Sequence, residues 1–200
     1  MQESPATRAS LLVRLRDGRD VEAWQEFVRL YAPVIYGFAR KRGLQDADAA
    51  DLMQEVLRSV SLAADRLDYD PNRGTFRGWL FTVTRNKVFN FLDSRSRRVL
   101  GSGDSRVQER LEQHADGDGK LSADWEADYR RNLAAQAMER IRGEFQPATW
   151  QAFLQTAVDG HEPAEVSRRV GISVGAVYVA KSRVLARLRQ EIERMQGDES

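Results

Sequence analysis

Asp48, Asp51, Glu55 and Arg58 recur at steps of three and four residues in DAADLMQEVLR, so they share one face of a helix. Gln54 borders that face, and Leu52 lies close enough to add apolar contact. Carboxylates at this spacing can serve acid–base or metal chemistry, dock a basic partner, or remain solvated. The first use lacks its other parts. The sequence has no cysteine and two histidines, His114 and His161, both expected in loops. It also lacks a Walker loop, a dinucleotide fingerprint and a Ser/His/Asp set. Neither a catalytic residue, a metal nor a cofactor is expected, and the face reads as docking or solvated surface.

A second group follows in FRGWLFTVTRNKVFNF, residues 76–91, where Phe76, Trp79, Leu80 and Val83 form one stripe. Phe81, Phe89 and Phe91 cannot all share it, so some aromatics are expected at an edge or facing outward. Arg77, Arg85, Asn86, Lys87 and Asn90 are interleaved with them. Aromatic faces among cations suit single-stranded nucleic acid, because bases stack while phosphates are neutralised. Part of the aromatic set is equally explained as the filler of a small helical core.

The third group is the most specific. Pro163 suits the first position of a helix, and Gly171 can take a left-handed conformation after Val170. Ser173 can cap a second helix beginning at Val174, with Val166, Val170, Ile172, Val177 and Val184 packing the pair together. This is a helix-turn-helix pattern, whose second helix enters the major groove. Ser173, Val174, Gly175, Ala176, Tyr178, Val179, Lys181 and Ser182 are placed to face DNA, with Arg183, Arg187 and Arg189 contacting phosphates.

These groups must be positioned by helices, since no alternating β-branched run is long enough for a strand. Apolar spacing predicts one helix from Asp20 to Arg42, interrupted by Pro33, and another over 47–67. A turn over 70–74 leads to a helix capped by Thr75 and ending near Asp93. Between 99 and 128 the periodicity fails among Gly, Ser and Asp, which predicts an exposed acidic linker. The fold expected is therefore all-α. A helical module over 8–98 and a helix-turn-helix module over 129–195 are joined by the linker 99–128.

Charge follows the same division. Residues 73–98 carry seven basic groups against Asp93 alone, 101–128 carry three against eight acids, and 168–189 carry six against none. The formal net charge of +1 is thus an average over two basic blocks and an acidic one, which favours a polyanion partner. Hydrophobic residues at 42%, with 14 Gly and 5 Pro, exclude a disordered or collagen-like chain. Leu11-Leu12-Val13 is broken at once by Arg14 and Arg16, so neither a signal peptide nor a membrane insertion is expected there. The absence of cysteine fits a cytoplasmic setting.

With the three groups in this order, the chain resembles a bacterial RNA polymerase sigma factor of the extracytoplasmic-function (ECF) group, sigma-70 family. DADAADLMQEVLRSV resembles the family's polymerase-docking helix, FRGWLFTVTRNKVFNFLDSRSRR its −10 segment, and EPAEVSRRVGISVGAVYVAKSRVLARLR its −35 segment. The resemblance implies a sigma region 2-like bundle and a sigma region 4-like domain. Asp48, Asp51, Leu52, Gln54, Glu55 and Arg58 would bind core RNA polymerase, on its β′ subunit, with further contacts to β. Arg77, Trp79, Arg85, Asn86, Lys87 and Asn90, with a loop of Ser94, Arg95, Arg97 and Arg98, would open and read the −10 element of promoter DNA. An extruded base held by that loop would account for selectivity. The residues from Ser173 to Arg187 named above would read the −35 element, and the acidic linker would run through the polymerase channel. An anti-sigma factor is a further partner common in the group. Asn90 stands where the family often has Asp, and Asp93-Ser94 replaces part of a basic run. Ala176 replaces a usual Thr, and Tyr178-Val179-Ala180 replaces a commoner Lys-Ser-Arg. The alternative to a sigma factor is a stand-alone helix-turn-helix regulator with a partner-sensing N-terminal module. A metal-dependent hydrolase at the Asp48/Asp51/Glu55 face is the third.

Overall fold

The computed structural model describes residues 11–64, 76–100 and 118–197. The expected turn over 70–74, the Thr75 cap, His114 and most of the linker's glycines lie outside the described residues. Every regular element among the described residues is helical: α1 (Leu11–Leu15), α2 (Val21–Lys41), α3 (Asp46–Ala64), α4 (Phe76–Leu100), α5 (Asp118–Ile141), α6 (Pro147–Phe153), α7 (Pro163–Val170) and α8 (Val174–Gly197). The all-α class is as the apolar spacing predicts. The chain divides into two compact units, 1–132 and 133–200.

In the first unit, Asp20 caps α2 by accepting the Ala23 N–H at 2.9 Å, and Arg14 holds its carboxylate with two hydrogen bonds of 2.8 and 3.0 Å. The arginine holds the Asp20 carboxyl below its ordinary pKa. Phe27, Tyr31, Ile35 and Phe38 of α2 are buried, as are Leu52, Val56 and Val60 of α3 and Phe76, Leu80 and Val88 of α4. The i, i+4 spacing of each set makes one apolar stripe per helix, and the stripes meet in a single core. Gly43 turns the chain between α2 and α3 at a φ of 87°, where a side chain would be strained.

Two boundaries differ from the sequence expectation. The acidic stretch is helical from Asp118 onward rather than linker through 128, and the first unit runs to Asn132 rather than ending at 98. The reason is aromatic. Trp125 and Tyr129, four residues apart, are each 1% exposed. Trp125 meets Phe38 and Phe81 at ring-centroid distances of 5.6 and 5.8 Å, and Tyr129 stacks on Tyr31 at 5.7 Å. Burying two such rings outweighs the poor helix propensity of Asp and Gly around them. Around the rings, Asp128 pairs with Lys41 at 2.7 Å and Glu126 with Arg77 at 3.6 Å.

Asn132 completes the contact. Pro33 lies within α2 and has no N–H to give the carbonyl of Arg29. The Asn132 side-chain amide supplies it, donating to the carbonyls of Arg29 at 3.2 Å and Leu30 at 2.6 Å. A residue about a hundred positions away thus satisfies the helix that proline interrupts.

The second unit is built from two small clusters. Ile141, Trp150, Phe153 and Val184 form one, and Ala152, Val166, Val177 and Ala180 the other, with Val170 and Ile172 packed on it. A π-helical turn, Leu154–Val158, follows α6. Its Thr156 hydroxyl is buried and donates to the Ala152 carbonyl at 2.6 Å.

Candidate nucleic-acid interface

The acidic face of α3 lies opposite the basic face of α4. Asp48, Asp51, Leu52 and Glu55 line one side of an open groove of about 400 Å³, and Lys87, Asn90 and Phe91 line the other. Lys87 reaches Glu55 at 3.4 Å and Arg95 reaches Asp48 at 3.5 Å. Asp51, Gln54, Glu55 and Arg58 are exposed, while Leu52 is buried and belongs to the core. The α3 register that presents the acids outward is set by Ala49, Leu52, Val56 and Val60 on the opposite side. No group of three or more His, Asp or Glu among the described residues could hold a metal ion.

The aromatic-basic segment divides between core and surface. Phe76, Leu80, Phe81 and Val88 are buried, whereas Trp79, Phe89 and Phe91 are half-buried. Trp79 packs its ring on Phe76 at 5.5 Å. Of the polar residues, Asn86 and Asn90 are exposed, and Arg85 hydrogen-bonds the Asn86 side chain at 3.3 Å. Arg77 lies over the Tyr129 ring at 4.9 Å, so α5 shares the side chain expected to contact DNA.

Ser94 to Arg98 do not form a loop. They continue α4 to Leu100, with the Ser94 hydroxyl donating to the Phe91 carbonyl at 2.8 Å. The physical reason is local: no glycine or proline stands between 92 and 100, and Leu and Arg favour a continued helix. The side chains of Arg97 and Arg98 lie outside the described residues.

In the second unit, α7 ends at Gly171 with φ 75°, and its N–H bonds the Ser167 carbonyl. Ser173 accepts the Ala176 N–H at 3.1 Å, capping α8 where the sequence predicts. The Ser167 hydroxyl donates to the Ile172 carbonyl at 2.5 Å and fixes the corner between the helices. Val177, Ala180 and Val184 turn inward. Ser173, Val174, Gly175, Ala176, Tyr178, Val179, Ser182 and Arg183 are exposed on the other side, and Lys181 is half-buried.

Arg187 has another task. It forms a two-point pair with Glu144 at 2.6 and 2.7 Å and also reaches Glu191 at 3.2 Å. Glu191 is 2% exposed and is further held by Arg194 at 2.5 Å and Arg140 at 3.6 Å. A buried carboxylate needs such partners, so Arg187 closes an internal ion cluster rather than projecting as an independent phosphate contact.

Residues 27–98 match the family model described as Sigma-70 region 2. The ECF RNA polymerase sigma factor RpoE of Cereibacter sphaeroides is 33% identical over 78 residues, covering 39% of this chain and 42% of that protein. The ECF RNA polymerase sigma factor SigE of Mycolicibacterium smegmatis is 28% identical over 170 residues, covering 80% of this chain and 58% of that protein. The chain is thus similar to ECF sigma factors, and its residues 27–98 to sigma-70 region 2. It spans about half the length of these two relatives. Among solved structures, CnrH in complex with the cytosolic domain of CnrY is similar at 22% identity and a TM-score of 0.34, over 92% of this chain and 96% of that one.

The sigma-70 region 2 match contains both walls of the α3/α4 groove. It ends before Trp125, Tyr129 and Asn132, which complete the same core from outside it. Sequence reasoning missed these three because the surrounding acids and glycines masked them. The available signal was the four-residue stripe Leu121, Trp125, Tyr129 and Leu133.

Proposed function

We propose that the protein is a sigma factor that binds core RNA polymerase and directs it to promoters carrying particular −10 and −35 elements. It performs no catalysis of its own. The acids of α3, half-buried Asp48 and exposed Asp51 and Glu55, with Gln54 and Arg58, dock the polymerase. The face of α4 bearing Trp79, Arg85, Asn86, Lys87 and Asn90 engages the opened −10 strand. The second unit places the start of α8 on the −35 duplex, and an anti-sigma protein is a further partner.

The observation that carries this reading is the groove within the region 2 span, where an acidic docking face and a basic, aromatic face stand opposite one another. Adjacent faces of opposite charge suit two different partners, one basic and one polyanionic, held side by side. A metal hydrolase would instead need its acids gathered on one ion.

Promoter-dependent transcription with purified core polymerase tests the proposal. Added protein should produce starts at a defined set of sequences, and Asp51→Arg with Glu55→Arg should abolish polymerase binding while leaving helicity unchanged. Nanomolar, sequence-specific duplex binding without polymerase, together with no effect of the double charge reversal, would favour a stand-alone regulator.

A further inference from the structure

We infer that the first two turns of α8 read the C5-methyl groups of thymines in the major groove, so that the upstream element is selected chiefly by apolar contact. This rests on the proposed placement of α8 on promoter duplex and deepens it to a class of sequence.

Three large apolar side chains stand exposed at the start of this helix: Val174 at 40%, Tyr178 at 58% and Val179 at 55%. The core side of the helix is already filled by Val177, Ala180 and Val184, so these three are not surplus core residues. Between Val174 and Ala180 there is no Arg, Lys, Asn, Gln, Asp or Glu. The side chains that make two-point hydrogen bonds to guanine, adenine or cytosine edges are therefore missing from the part of the helix that would lie deepest. Apolar groups recognise one feature of the major-groove edge, the thymine methyl.

Gly175 points the same way. A Cβ added there would meet only the Ser173 hydroxyl, at 4.0 Å, so nothing inside the protein requires glycine. Glycine in a helix costs up to about 1 kcal/mol relative to alanine. Its smallness is useful on the outside, where it and Ala176 let the backbone approach another surface closely. The surroundings name that surface as DNA rather than an apolar protein. Residues 168–189 contain six basic groups and no acid, and Arg183 and Arg189 enter no ion pair among the described residues. An apolar strip followed on the same helix by Arg183 and Arg189 matches base edges between two phosphate backbones.

The test uses the full chain with core polymerase. Transcription from a template pool randomised upstream of the start first yields the selected element, and thymines in it are then replaced by deoxyuridine, which removes only the methyl. Promoter occupancy should fall about fourfold for each contacted methyl, as loss of one buried methyl group predicts. Tyr178→Ala with Val179→Ala should erase the difference between thymine and deoxyuridine, the mark of a direct contact. A selected element indifferent to deoxyuridine would overturn the inference and leave the sigma function standing. Core-dependent transcription that never appears would overturn both. Loss of polymerase binding by the double variant in the absence of DNA would assign the strip to a protein partner, against the inference.

Discussion

The cations of α4 and the exposed start of α8 meet their surroundings in opposite ways. On α4, Arg77, Lys87 and Arg95 each face an acid supplied by another helix, Glu126, Glu55 and Asp48. Among the described residues, the start of α8 from Val174 to Val179 carries no charged side chain, and those exposed there are apolar or small. A polyanion binding α4 must displace internal carboxylates, whereas one binding α8 need not. The units also differ in construction. The first is closed by a segment beyond its family match, and the second by neighbours close in sequence.

The largest effect that sharpens this contrast is expected from Trp125→Ala. Removing a fully buried indole should cost the first unit about 3–5 kcal/mol. Two-probe denaturant unfolding should show that unit melting earlier while the second keeps its midpoint. Equal destabilisation of both would deny that α5 closes the first unit specifically. Asn132→Ala should follow, costing about 1–2 kcal/mol by leaving the Arg29 carbonyl of α2, which Pro33 cannot serve, without its donor. The decisive comparison is a cycle with Pro33→Ala, which restores the backbone N–H. If Asn132→Ala costs as much in that background, the amide is not compensating for proline.

In the second unit, Gly171→Ala should cost about 1–2 kcal/mol, because φ 75° disfavours any side chain. Nothing lies within 4 Å of the added Cβ, so the loss is a backbone effect alone. Gly171→Asn should recover part of it, and an equal loss for both would point to sterics instead.

Acid should also separate the units. Hydrogen bonds from Arg194 and Arg187 hold the Glu191 carboxyl below its ordinary value, against the burial that pushes it up. A carboxylate depressed in the folded state contributes stability above its unfolded pKa and loses it as pH falls through the folded one. Glu191→Gln should therefore destabilise the second unit at neutral pH and flatten its decline below about 4.5. An unchanged acid limb in urea titrations would remove Glu191 as the cause.

The smallest effect concerns the α3/α4 pairs. Glu55→Gln should raise the free protein's affinity for single-stranded DNA about two- to threefold at low salt, since an exposed pair is worth under about 1 kcal/mol. The gain should vanish at high salt. A decrease would mean that Glu55 orients Lys87 rather than competing for it.

Much of this was open to inspection in the sequence. Proline at 163, glycine at 171 and serine at 173 punctuate α7 and α8 where backbone chemistry demands them. The acids of α3 repeat at helical steps, so their shared face follows from 3.6-residue geometry. The continuation of α4 past Ser94 was less legible, because a basic run reads equally as loop or helix until its backbone bonds are traced.

By itself, then, the sequence determined the all-α class, the cores of α2 and α3, the corner between α7 and α8, and the two basic blocks, since these depend on local propensity and period. Only the tertiary structure decided what those residues do with one another. It set Trp125 and Tyr129 into the first core, matched Asn132 to the carbonyl left by Pro33, and turned Arg187 inward to Glu191. Each of these depends on partners far apart in the chain or on which side of a helix the core takes. Neither composition nor spacing encodes that choice where acids and glycines mask a short aromatic stripe.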